Sequence, residues 1–325
     1  MRPAFSVIFL TTLIGAGQGL FLALFTVESY AAFGLLPSQD DGFYAAGTGL
    51  AMVFLAAGLA ASFFHLGRPE RAWRSATRWR TSWLSREVIA LPAFMAVAAL
   101  YGAAHLAGFN PALAELPGGI PVNVTAVLGS AGTVLAFALF LCTGMIYASL
   151  RFLREWHSPL TVINYVLLGG ASGFMLATAY AALAAPALVA FLAAWTAILT
   201  GLALVSRSAA LFRNRRLKPK STPQSAIGVK HPRIVQITQG FLGGSFNTRE
   251  FDCGRPASFR RGIQWLFLTA VFPVALAIMA AGLSAGSVAM LAAAFAVQYL
   301  GLLAERWHFF AEARHPQNLY YQAAA

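Results

Sequence analysis

Eight long apolar stretches, at 5–27, 44–65, 87–108, 121–148, 159–184, 186–206, 262–283 and 286–305, dominate this sequence and leave it few ways to fold. A helix rises about 1.5 Å per residue, so roughly 20 apolar residues cross the ~30 Å hydrocarbon core of a bilayer. A water-soluble core has no use for eight such stretches. The sequence therefore predicts an all-α polytopic membrane protein with eight transmembrane helices, organised as a single membrane domain over residues 1–325.

The charges between the runs predict its orientation. All 23 Lys and Arg residues fall at alternate ends of the runs. Arg2 precedes the first, six arginines from Arg68 to Arg86 follow the second, and Arg151 and Arg154 follow the fourth. Twelve Lys and Arg lie between Arg207 and Arg261, and Arg306 and Arg314 follow the last run. The 28–43 and 109–120 gaps carry only the acids Glu28, Asp40, Asp41 and Glu115. Basic loops stay on the cytoplasmic side, so both termini and the large basic loop at 207–261 are expected to face the cytoplasm. Reporter fusions at Ala46 and Gly118 should therefore read as external, and fusions at Thr77 and Gln224 as cytoplasmic. The opposite result at any two of these sites reverses the orientation.

Composition excludes several functions. With 58% hydrophobic and only 10% charged residues, the net charge of +12 is a topology signal and not the basic face of a nucleic-acid binder. Arg2 with the first run resembles a signal peptide, but the run is too long for one and has no clear small-residue cleavage site before Glu28. It is expected to stay as the first helix. The two cysteines, Cys142 and Cys253, fall in a helix and in the large loop, too few for an iron–sulfur cluster and not placed to meet as a disulfide. No metal site of the chain's own is expected. Of the six histidines, His65, His157 and His308 lie at cytoplasmic helix ends, His105 lies near the opposite side, and His231 and His315 lie in loops. That arrangement does not suggest a bis-histidine haem, and no haem is expected.

The segment His65-Leu66-Gly67-Arg68-Pro69-Glu70-Arg71-Ala72-Trp73, running on through Trp79 and Trp83 to Ser85-Arg86-Glu87, concentrates the candidate chemistry. Gly67 suits a left-handed residue closing the second helix, and Pro69 and Glu70 suit the first turn of a short surface helix. Ser85 suits the N-cap of the third helix, with Glu87 in its first turn. Interfacial anchoring accounts for each of these residues singly. Together they offer an imidazole that can hydrogen-bond a quinone carbonyl and a carboxylate that can move the accompanying proton. Arg71 could stabilise developing negative charge or pair with Glu87.

These residues resemble the membrane-anchor subunits of the dimethyl sulfoxide reductase family of molybdenum enzymes. The resemblance lies in Pro3-Ala4-Phe5-Ser6-Val7-Ile8-Phe9 with Gly15-Ala16-Gly17-Gln18-Gly19, in Phe64-His65-Leu66-Gly67-Arg68-Pro69, and in Ser82-Trp83-Leu84-Ser85-Arg86-Glu87. It implies an anchor without haem in the bacterial inner (cytoplasmic) membrane that binds ubiquinone or menaquinone. His65, Gly67, Arg71 and Glu87 would form the quinone site, with His65 and Glu87 in the catalytic role. The implied partners are a ferredoxin-like subunit with four iron–sulfur clusters and a catalytic subunit holding a molybdenum bis-pterin (molybdopterin) cofactor.

The stretch from Gly240 to Phe251 resembles the branch of that family associated with cytoplasmic sulfite oxidation. It implies that sulfite oxidation is coupled to quinone reduction. Arg213, Arg215, Arg216, Lys218 and Lys220 form a polybasic run suited to anionic lipid. The apolar residues beyond Ser225 suggest a surface covered by a partner, with Phe241, Phe246, Arg249 and Phe251 as docking candidates. Folding of this loop over its own helix ends is the other reading. A quinol-oxidising anchor of a reductase would use the same parts. A secondary transporter would need intramembrane charges, broken helices or an inverted repeat, and none stands out in the sequence. Gln18, Asn164, Tyr165, Gln298 and Tyr299 alone make a thin polar lining.

Overall fold

The computed structural model describes residues 5–116, 119–218, 221–235, 237 and 256–316. Within them, eight helices are long and apolar enough to cross a membrane. In chain order these are α1 (Phe5–Ala32), α2 (Asp41–Phe63), α3 (Trp83–Leu106), α4 (Val124–Ala148), α5 (Pro159–Ala184) and α6 (Val189–Arg215). A short α7 (Pro223–Ile227) follows, then α8 (Ala257–Thr269), α9 (Ala275–Ala285) and α10 (Val288–Glu312). A π turn at Ala270–Val274 joins α8 and α9 into one spanning rod. Pro273 inside that turn has no N–H to give to the preceding turn, and the Val271 carbonyl accepts from Gln298 Nε2 at 3.3 Å.

Helix starts are set locally. Asp40 accepts from the Phe43 N–H, Ser82 from Ser85, Ser158 from Leu160 and Ser287 from Met290, each capping a donor of the first turn. Ser82 is thus the cap of α3, and not Ser85 as expected; the helix starts at Trp83, and Glu87 lies just past its first turn. A two-stranded antiparallel hairpin, β1 (Ala112–Leu116) and β2 (Ile120–Asn123), fills the loop before α4, a small departure from an all-α chain.

Helices α1 and α5 form the spine. In lipid there is no hydrophobic drive between helices, so close approach depends on small residues. Gly15 and Gly19 of α1 face Gly169 and Gly173 of α5, and a Cβ on Gly173 would fall 2.2 Å from the Gly19 Cα. Around this crossing, α2 and α4 pack on α1 and are bridged by α3, while α6 and α10 pack on α5 and the α8–α9 rod packs on α10.

Several helices run past the charges that delimit the runs in the sequence. Helix α1 continues through Glu28 to Ala32, α6 through Arg207 to Arg215, and α10 through Glu305 and Arg306 to Glu312. The large loop therefore starts beyond Arg215, and not at 207. Charges assigned to loops are built into the helix ends, where the apolar residues beyond them, such as Phe309 and Phe310, are buried.

Candidate functional site

The two ends of the bundle carry different polar chemistry. At the start of α3, Glu87 is half-buried and its Oε1 accepts a hydrogen bond from Thr143 Oγ1 of α4 at 2.5 Å. The carboxylate borders a cleft between α1, α4, α5 and α10. Helix α1 contributes Leu10, Thr11, Gly15 and Gln18, α4 contributes Phe140 and Thr143, α5 contributes Tyr165 and Gly169, and α10 contributes Leu302 and Arg306. The cavity is about 30 Å³, room for roughly two waters.

His65 follows α2 at the same end, with its Nδ1 3.3 Å from Ser6 Oγ in the first turns of α1. Ser6 lies about one helical turn from Leu10 and Thr11, so His65 and Glu87 flank the same stretch of α1 without touching. Partial burial lowers the His65 pKa below the ordinary imidazole value, which leaves the ring neutral at pH 7 and able to donate or accept.

The remaining predicted residues are placed differently. Gly67 is exposed, has open space where a Cβ would stand, and is not among the glycines with positive φ. Helix α2 is closed instead by Phe64 in a right-handed conformation. Arg71 lies on a 3₁₀ helix, Pro69–Arg78, exposed and 3.9 Å from its neighbour Glu70, not paired with Glu87. The tryptophans of this turn are stacked by adjacent cations: Arg74 on Trp73, Arg80 on Trp79 and, at 4.1 Å, Arg86 on Trp83. Phe241, Phe246, Arg249 and Phe251 lie outside the described residues, as does Cys253. In the polybasic run, Arg213 donates to the carbonyls of Arg154 and His157, tying the α4–α5 connection to α6.

Sequence reasoning missed the charged cluster beside the cleft. Arg207 of α6 pairs with Glu305 of α10 at 2.7 Å, and both are almost fully buried. Glu305 also accepts from Arg306 Nε at 2.5 Å, and the Arg306 guanidinium lies 4.3 Å from the centre of the Tyr165 ring. The signal was present: apolar residues continue past Arg207 as Ala209-Ala210-Leu211-Phe212, and past Arg306 as Trp307, Phe309 and Phe310. A charge flanked on both sides by apolar helix is buried within it.

A second cluster lies at the opposite end, about 27 Å along α3 from Glu87. Tyr101 donates to Glu28 Oε2 at 2.6 Å, Thr125 donates to Glu28 Oε1, and His105 Nδ1 lies 2.7 Å from Asp41 Oδ1. These bonds tie α1, α2, α3 and α4 together. Between the clusters the packing is apolar, with Phe21 edge-on to Phe94 at 5.3 Å and with Leu20, Leu55 and Leu139 buried. Among the described residues no group of three or more His, Cys, Asp or Glu side chains is arranged to hold a metal.

The Glu87 cleft fits a quinone headgroup by chemistry. A headgroup presents two carbonyl acceptors on a flat apolar ring. The cleft offers aromatic walls in Phe140 and Tyr165, and two buried polar groups: Arg306 Nη1, without a hydrogen-bond partner among the described residues, and the Tyr165 hydroxyl, in no hydrogen bond of good geometry. As it stands the cavity is smaller than the ring, so a bound headgroup requires lining side chains to move aside.

Comparison with known proteins covers the whole chain. The family model described as the DMSO reductase anchor subunit (DmsC) matches residues 1–238. A sulfite dehydrogenase subunit of Allochromatium vinosum is 56% identical over 325 residues, covering 100% of both chains. Matched over most of its length by the family model and along its entire length by that relative, the chain belongs to the DMSO reductase anchor subunit family.

Proposed function

We propose that this chain is the quinone-reactive membrane anchor of a sulfite-oxidising complex, passing electrons from an iron–sulfur subunit to the quinone pool. The observation that carries the reading is the Glu87 carboxylate. It borders a cleft between the helices of mixed polar and apolar lining, with the His65 imidazole at the same bundle end. A carboxylate without a cationic partner is costly in lipid, and such groups mark proton or substrate sites.

A bound quinone supplies the two-electron, two-proton acceptor. The chain's own residues supply the rest. The Glu87 carboxyl, positioned by the Thr143 hydroxyl that donates to its Oε1, delivers a proton. His65, steadied by Ser6, is a second proton-exchanging group nearer the surface. Electrons come from the four-cluster subunit, which draws them from sulfite at the molybdenum bis-pterin subunit. The name of the Allochromatium relative supports sulfite as substrate, and its full-length identity supports the same partner arrangement.

The partners dock, on this reading, at the cytoplasmic end through the 216–256 loop. Deleting Gln236 to Phe251 is expected to leave the anchor in the membrane while the two soluble subunits wash off. Sulfite-dependent quinone reduction should then disappear from membranes. A deletion variant that still copurifies with both soluble subunits and reduces quinone places the docking surface elsewhere.

A further inference from the structure

The cleft is also lined by a cation. Arg306 is buried to 4% exposure, lines the cleft together with Glu87, and has one guanidinium nitrogen, Nη1, without a hydrogen-bond partner among the described residues. Tyr165, 5% exposed and lining the same cleft, has its hydroxyl beside Arg306 and Tyr147 but in no hydrogen bond of good geometry among the described residues. A buried donor without an acceptor is strongly unfavourable, and more so when it belongs to a charged group. A partnerless guanidinium nitrogen and a poorly bonded hydroxyl beside one cavity point to an acceptor that comes and goes.

The guanidinium is also held in place. Glu305 takes Arg306 Nε on one oxygen at 2.5 Å and faces Arg207 on the other at 2.7 Å. Glu312 stands 3.7 Å from Arg207, and His308 Nδ1 is 3.4 Å from Arg207 Nη2. Tyr165 and Phe309 rings flank the Arg306 guanidinium at 4.3 and 5.0 Å. One carboxylate is thus shared by two guanidiniums, and the fork of Arg306 is fixed by its Nε bond and by aromatic stacking. Arg306 can accept partial negative charge without moving.

We propose that Arg306 and Tyr165 bind one carbonyl oxygen of the quinone headgroup and stabilise the negative charge that develops there, while Glu87 supplies the proton. Glu305 and Arg207 are positioning residues that aim the Arg306 fork. This role replaces the one expected for Arg71, which the fold places on the exposed turn. It rests on the quinone reading of the cleft. Two electrons from the iron–sulfur partner and two protons convert the quinone to quinol, and neither Arg306 nor Tyr165 gives up a proton in the balance.

The test uses the intact complex and a redox-inactive quinone analogue, with binding read from quenching of tryptophan fluorescence and folding from thermal unfolding. Tyr165→Phe removes only a hydroxyl and keeps the ring against Arg306, so it should lower the unfolding temperature little. It should weaken analogue binding about threefold to tenfold, the size of one neutral hydrogen bond. Arg306→Lys keeps the charge but loses the planar fork, and should weaken binding by more than tenfold and lower kcat for quinone as well as raising KM. If Arg306→Lys fails to fold, Tyr165→Phe decides alone. Wild-type affinity in Tyr165→Phe, or in a folded Arg306→Lys, with weakened binding in Glu87→Gln, overturns this inference and leaves the site. Wild-type affinity in all three overturns the quinone reading of the cleft itself.

Discussion

Glu87→Gln is expected to reduce electron exchange with quinone by on the order of 10²-fold, the scale for losing a positioned proton-transfer group, while the complex assembles normally. Glutamine keeps an oxygen to accept from Thr143 Oγ1, so packing between α3 and α4 survives and only the proton is lost. Sulfite oxidation with an artificial dye, which draws electrons from the soluble subunits directly, should stay near its normal rate. His65→Ala should show the same split, since its contact with Ser6 at 3.3 Å lies at an exposed helix end and contributes little to folding. If either residue serves only as a helix anchor, the amount of folded complex falls and quinone and dye activities fall together. Normal quinone turnover in both variants removes the site from this end of α3.

Gly173→Ala is expected to have the largest effect on folding. The added Cβ would stand 2.1 Å from the Gly19 carbonyl carbon and 2.2 Å from the Gly19 Cα and the Leu20 nitrogen. All three are backbone atoms, so no rotamer change relieves the clash and α1 must move away from α5. Ordinary overpacking costs about 1–3 kcal/mol, and a clash between two helix backbones at the spine lies at or beyond the top of that range. The variant should be recovered from membranes at a small fraction of the wild-type amount, by immunoblot of detergent extracts. Gly49→Ala, on α2 with open space around its Cβ position, should be recovered in full. Equal recovery of the two variants would show that the α1–α5 crossing is looser than these distances require.

The eight helices were legible in the sequence because bilayer thickness imposes a length and an apolar composition on each of them, with little dependence on what the helix packs against. Their ends were read too short, although apolar residues beyond Arg207 and Arg306 carried the signal. Glu28, Arg207 and Arg306 look like loop charges in one dimension, but each meets its partners from other helices or across its own turn: Tyr101 and Thr125 for Glu28, and Glu305 for both arginines. Such pairing leaves no periodic trace. Glu87 stood out because it lay beside a run of arginines at a helix start, whereas its partner Thr143 lies 56 residues further on and gives no sign of the meeting. Gly67 and Arg71 were carried along by the motif. The fold places them on an exposed turn, where the tryptophans are already stacked on neighbouring arginines.

Photolabelling tests the central claim most directly. An azido-quinone irradiated with the intact complex in lipid nanodiscs should attach to peptides from the first half of α1 and the start of α3, around Leu10 to Gln18 and Glu87. That labelling should disappear when excess unlabelled quinone competes. Labelling confined to the opposite end, around Glu28, Asp41 and His105, would contradict a quinone site at Glu87, because the buried apolar layer of Phe21, Phe94 and Leu139 separates the two ends.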